Sequence, residues 1–126
     1  MILWLTSYPK SGNTWVRAFL GNYLGVNLGN SFDNIIKIKS FPQKKYFENI
    51  VDEKVLKKNG LEIFKYFIAA QKNINKNNKF HLIKTNNFYG SVKNFDFSNK
   101  ENTAEFIYIV RDPRSVAVSY AHHENI

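Results

Sequence analysis

The stretch from Ile2 to Leu24 sets the terms for the rest of the chain. Ile2 to Thr6 is apolar on almost every residue, and Pro9 and Gly12 then break the run. Apolar side chains follow at helical spacing: Val16, Phe19, Leu20, Tyr23 and Leu24, with Gly25 as a stop signal. The reading is strand, tight loop, helix. A strand that is apolar on successive residues suits burial on both faces of a parallel sheet. Gly12, Asn13 and Thr14 fall at the first turn of the helix, where free backbone N–H groups and the helix dipole favour an anion. Lys10 adds a full positive charge, and the hydroxyls of Ser11 and Thr14 add donors. These are the parts of a phosphate cradle. It is not a Walker A loop, which places its lysine after the last glycine; here Lys10 precedes Gly12.

The remaining chain reads as further strand and helix pieces. Asn27 to Gln43 is irregular, with the short apolar piece Ile35, Ile36 and Ile38. Lys44 to Asn59 is mixed, with Phe47, Ile50, Val51 and Val55 able to share one helical face. Leu61 to Asn75 is a clearer helix, carrying Leu61, Phe64, Phe67, Ile68, Gln71 and Ile74 on one side. A strand is expected from Phe80 to Thr85, then a loop to about Thr103, then a strand from Glu105 to Val110. Asp112 and Pro113 form a helix start, as N-cap and N1 residue, with Val116, Ala117, Tyr120 and Ala121 on the apolar face. Long crossovers between apolar strands imply an α/β fold: a parallel sheet with flanking helices and right-handed connections. In such sheets ligands sit at the carboxyl ends of the strands. Lys10, the stretch Lys84 to Asn86, and Arg111 all fall there.

Composition narrows the function classes. The chain has 126 residues, enough for one domain, and 44% hydrophobic content, enough for a core. Without cysteine it can have no disulfide and no Cys-ligated metal site. No basic n-region precedes the first apolar residues, and no stretch approaches the ~20 apolar residues of a membrane span. A cytoplasmic protein without membrane contact is expected. Net charge is +8, but the basic residues are 15 Lys and only 3 Arg, beside 17 Asn. Eleven of the lysines lie between positions 37 and 79, and they read as a solvated outer face rather than a nucleic-acid site. His122 and His123, adjacent on a helix, point apart and read as surface residues, not metal ligands.

Three stretches together resemble one family. Tyr8-Pro9-Lys10-Ser11-Gly12-Asn13-Thr14-Trp15 resembles the 5′-phosphosulfate loop of the cytosolic and bacterial sulfotransferases, which use 3′-phosphoadenosine 5′-phosphosulfate (PAPS). Phe106 to Tyr120 resembles the 3′-phosphate motif of that family, with Arg111 and Ser119 in matching type and spacing. Leu82-Ile83-Lys84-Thr85-Asn86 resembles its Lys-Thr-His segment, with asparagine at the histidine position.

The resemblance implies a P-loop-like, nucleotide-kinase-like sulfotransferase fold, and an enzyme that moves a sulfuryl group from PAPS to a hydroxyl or amine. Family members are about twice this long, so it also implies one sulfotransferase domain over 1–126, incomplete on its C-terminal side. Lys10, Ser11, Gly12, Asn13, Thr14, Trp15, Arg111 and Ser119 would bind the nucleotide. Lys10, Lys84 and Asn86 would stand at the reaction, and no metal is implied because lysines supply the charge. The acceptor would be a small molecule or a carbohydrate. An amide cannot take a proton near neutral pH, although it can orient a hydroxyl. Three readings of position 86 stay open. A carboxylate such as Glu48, Asp52 or Glu62 supplies the base; the acceptor needs little help; or the chain binds PAPS and its product and transfers weakly or not at all. His81 lies five residues earlier on the strand and is expected to point to the opposite face.

Overall fold

A computed structural model describes residues 1–24, 38–52 and 61–126. Its centre is strand β1 (Ile2–Ser7), buried at Ile2, Trp4, Leu5, Thr6 and Ser7. β1 pairs in parallel with β2 (His81–Thr85) on one side and β5 (Thr103–Ile109) on the other, giving the order β2-β1-β5. The register runs Ile2 to His81 through Thr6 to Thr85, and Leu3 to Glu105 through Ser7 to Ile109. The expected α/β parallel sheet is therefore present. β2 starts one residue later than expected, because Phe80 lies outside the pairing and is exposed.

Even-numbered side chains of β1 share one face of the sheet. On that face Ile2 and Trp4 join Phe41, Phe47, Phe67, Ala70, Ile83 and Phe97 in one core. Trp4 and Phe67 each meet Phe41 edge to face, at 5.5 and 5.0 Å between ring centroids. The indole N–H of Trp4 donates to Thr103 Oγ1 at 3.0 Å, so its one polar atom is satisfied. Buried Gln71 donates to the carbonyl of Phe97 at 2.6 Å and accepts from the Ser98 hydroxyl. This ties helix α2 (Phe67–Asn75) to the connection before β5.

Several expectations change in the structure. The single helix expected over 61–75 is a 3₁₀ segment, Leu61–Tyr66, followed by α2. Between 44 and 52 the chain forms a 3₁₀ turn at Lys44–Tyr46, and Phe47 is fully buried; Val55 lies outside the described residues, as do Ile35 and Ile36. The loop expected after Thr85 contains a hairpin, β3 (Ser91–Val92) and β4 (Phe95–Asp96), whose turn residues Lys93 and Asn94 have φ of 49° and 65°. Positive φ at both central residues is what a tight hairpin turn requires.

Helix α1 (Asn13–Tyr23) forms as expected but packs by a different side. Gly21 is buried and Val16 and Leu20 are half-buried, whereas Phe19 and Tyr23 stack on each other in solvent. The apolar residues of α1 cover more than one face, and the side that is buried is the one that carries Gly21, with Val16 and Leu20 half-buried. Helix α3 (Pro113–Glu124) starts as expected: Asp112 accepts from the Arg114 N–H at 3.0 Å and Pro113 occupies the first turn. Of its expected apolar face only Val116 is buried. No helix among the described residues is long and apolar enough to cross a membrane.

Candidate functional site

The carboxyl ends of the three parallel strands open into one cleft of about 350 Å³. The loop after β1 forms its floor through Pro9, Lys10 and Gly12. Asn13, Thr14, Trp15 and Arg17 of α1 form one wall. Lys84 and Asn86 enter from the end of β2, and Arg111 and Ser119 from β5 and α3. The sheet order thus lines up the charges: Lys84 on the β2 side, Lys10 in the middle, Arg111 on the β5 side.

Local backbone conformation builds the floor. Lys10 has φ 64° and Gly12 has φ 99°, both left-handed, which folds the loop tightly from strand to helix. A non-glycine residue held there costs about 1 kcal/mol or more and persists only where its surroundings fix it. Here the Arg111 guanidinium donates to the Lys10 carbonyl at 3.0 Å, so the residue after β5 clamps the loop after β1. The Asn13 side-chain amide donates to Ser7 Oγ at 3.1 Å, bracing the first turn of α1 against the strand. No side chain caps α1, and a Cβ placed on Gly12 would meet nothing within 4 Å. The Trp15 and Val16 N–H groups donate back to the Gly12 carbonyl at 3.0 and 3.2 Å, which leaves the first two N–H groups of the helix, those of Asn13 and Thr14, for a ligand, with space above the loop.

On the β2 side, the Thr6 hydroxyl donates to the Asn87 carbonyl at 2.7 Å, holding the exit of β2 against β1. Lys84 is gripped through its backbone: its N–H donates to the Lys39 carbonyl and its own carbonyl accepts from Phe41 N–H, both at 2.8 Å. Burial lowers the Lys84 ammonium below the ordinary lysine range, and the nearby Arg17 charge lowers it further. The Arg17 guanidinium itself donates to the Ile38 carbonyl at 2.7 Å. Trp15 is 80% exposed, leaving a ring face free beside the cleft.

Of the residues singled out from the sequence, Lys10, Gly12, Asn13, Thr14, Trp15, Lys84, Asn86, Arg111 and Ser119 line this cleft. Ser11 does not. It is buried and lines a separate, largely apolar cavity between the loop and α3. Nor do the carboxylates Glu48, Asp52 and Glu62, which are all exposed elsewhere. His81 lines a third cavity and lies 2.8 Å from Asn77 Oδ1 through its Nε2. His122 and His123 are exposed, and no metal-type cluster of acidic, His or Cys residues occurs among the described residues. Sequence reasoning missed Arg17. Its signal was available: it lies one turn beyond Asn13 and Thr14, on the same side of the helix as the cradle.

Searches of curated proteins and of solved structures found no significant match. A family model described as the sulfotransferase domain matches residues 2–126. With the match running from the first strand to the last residue, the chain belongs to the sulfotransferase domain family.

Proposed function

We propose that the cleft binds PAPS and that the chain transfers its sulfuryl group to a hydroxyl or amine on a small-molecule or carbohydrate acceptor. One observation carries this reading: Lys10, Lys84 and Arg111 converge from three strand ends on an uncapped helix N-terminus. The donor set fits a nucleotide with phosphates at both ends. The α1 N–H groups, the Lys10 ammonium and the Thr14 hydroxyl suit a 5′-phosphate. Arg111 and Ser119 suit a 3′-phosphate through bidentate and single hydrogen bonds. The exposed Trp15 ring offers a stacking face for adenine.

PAPS, when bound, supplies an activated sulfuryl group on its 5′-phosphate. The chain's own residues bind, orient and neutralise, which is how charged group transfers are catalysed in general. Lys10 meets the charge that grows on the phosphate side. Lys84 meets the sulfonyl oxygens from the β2 side. Asn86 orients an acceptor hydroxyl through its amide. We place the protein in the cytoplasm.

The test is a transfer assay with labelled PAPS across alcohols, phenols, amines and sugars. Labelled product that is lost in Lys10→Ala supports the reading. Transfer of phosphate from ATP, with none from PAPS, overturns it. A second reading, nucleotide binding with little catalysis, is favoured by Asn86 at the family's histidine position and predicts binding of 3′-phosphoadenosine 5′-phosphate (PAP) without labelled product.

A further inference from the structure

We propose that Arg111 positions Lys10 for the transfer step, so that the guanidinium assigned to the 3′-phosphate also builds the 5′ side of the site. This rests on the reading of the cleft as a PAPS-dependent sulfotransferase site. The first loop carries a difficult residue at its tightest point. The Ser11 N–H donates to the Tyr8 carbonyl at 3.3 Å, closing a turn with Pro9 and Lys10 at its centre. Lys10 has φ 64°, a value that such turns favour for glycine or asparagine. Lysine has no short polar side chain to ease that conformation locally, and the closing hydrogen bond is long. Without a further hold, Lys10 would relax toward negative φ, and its ammonium would swing away with the Cα–Cβ bond.

Arg111 supplies that hold. Its Nη1 donates to the Lys10 carbonyl at 3.0 Å, from 101 residues away in sequence. The Lys10 carbonyl and the Ser11 N–H belong to one planar peptide unit. The unit is therefore fixed at both ends, by Arg111 at its oxygen and by Tyr8 at its N–H. Among the described residues the Lys10 carbonyl is the one hydrogen-bond partner of Arg111, and neighbouring Asp112 bonds to Arg114 instead. The rest of the guanidinium is exposed, at the part of the cleft that Arg111 lines with Ser119.

A ligand can strengthen this bond. An exposed arginine gives up rotamer freedom to make it, and that loss is similar in size to the gain from one charge-assisted hydrogen bond. A phosphate that fixes the same guanidinium through its other N–H groups removes that freedom once, for both contacts. Recognition at the 3′ end then firms the loop at the 5′ end, where Lys10 meets the charge that grows on the leaving oxygen. By reciprocity, a ligand that orders the loop tightens the hold on the 3′-phosphate.

A donor without a 3′-phosphate isolates the effect. With adenosine 5′-phosphosulfate, Arg111 has no phosphate to recognise at the 3′ end. Arg111→Ala should still lower kcat from this donor about 10-fold or more, the scale of a small misplacement at a reacting centre. Arg111→Lys, which keeps the charge but not the planar fork, should not restore it. Saturating PAPS should show the same loss of kcat, whereas a residue used for recognition alone would raise KM and leave kcat. In a Lys10→Ala background, adding Arg111→Ala should change kcat by less than about threefold, because the group that it positions is gone. In the nucleotide-free protein, the Ser11 amide should exchange with solvent faster in Arg111→Ala than in the wild type. Equal kcat for wild type and Arg111→Ala overturns the assignment, as do full recovery by Arg111→Lys, an undiminished effect in the Lys10→Ala background, or an unchanged Ser11 amide. In each case a wild type that binds PAP and transfers from PAPS leaves the function standing. A wild type that does neither removes the function, and the positioning role with it.

Discussion

The two flanks of the cleft are built differently. On the β2 flank, Lys84 is gripped by residues 39–41, and the sheet behind it packs on a dense aromatic core around Trp4, Phe41 and Phe67. On the β5 flank, Tyr108 and Val110 are 61% and 77% exposed, and only Val116 of α3 is buried. Arg111 reaches the cleft from this looser side and is held by its bond to the Lys10 carbonyl. The difference assigns tasks. Under the proposed function, the firm flank would hold the groups placed for the reaction, and the open flank the groups that recognise a charge at longer reach.

The comparison can be broken most directly at the core. Trp4→Ala or Phe67→Ala should cost about 3–5 kcal/mol, because each empties a fully buried site, whereas Tyr108→Ala should stay within about 0.5 kcal/mol. Denaturant melts of the three variants check this, and equal losses would erase the distinction between the flanks. Next in size, Lys10→Ala should slow transfer by about 10²–10³ while weakening PAP binding far less, since its charge matters most as the leaving oxygen gains charge. Rate and binding measured on the same variant separate the two effects. Arg111→Ala should weaken PAP binding about 10- to 100-fold, as expected for a lost charge-assisted hydrogen bond, and weaken 5′-AMP binding by clearly less, through the lost clamp on the Lys10 carbonyl alone. Unchanged discrimination between the two nucleotides would detach Arg111 from the 3′-phosphate.

The smallest effect is at the start of α3. Hydrogen bonds from the Arg114 side chain and backbone hold the Asp112 carboxyl below the ordinary carboxylate value. A carboxyl lowered in the folded state stabilises above its unfolded value, and that contribution fades as pH falls through the folded one. Asp112→Ala should therefore lower Tm slightly at neutral pH, and its melting curve should approach the wild type's in acid. A gap that persists in acid would mean the cap acts through something other than the ionised carboxyl.

Much of this architecture can be read from sequence, for physical reasons that also mark the boundary. A strand buried on both faces must be apolar throughout, so Ile2 to Thr6 announces a parallel sheet before any contact is known. The turn residues of the first loop and the Asp112-Pro113 helix start are short-range chemistry and are equally visible. The packed side of α1 is not, because Val16, Phe19, Leu20, Tyr23 and Leu24 span more than one face, and only the sheet chooses among them. The β3–β4 hairpin is hidden because strands of two residues carry no alternation. At the site, convergence on the strand ends follows from the fold rule, but the displacement of Ser11 into a neighbouring cavity depends on loop geometry. Arg17 is legible from its helical spacing after Asn13 and Thr14, but its hold on the Ile38 carbonyl, 21 residues away in sequence, is not.

The most direct test of the central claim, a cleft made for two phosphates, is a thermal melt of the chain with PAP, using 5′-AMP as the control. A folded protein that binds a ligand gains stability in proportion to the logarithm of ligand concentration over Kd. The account predicts a cooperative melt whose Tm rises with PAP and hardly moves with 5′-AMP. A cooperative melt indifferent to both nucleotides, or raised equally by both, would contradict it.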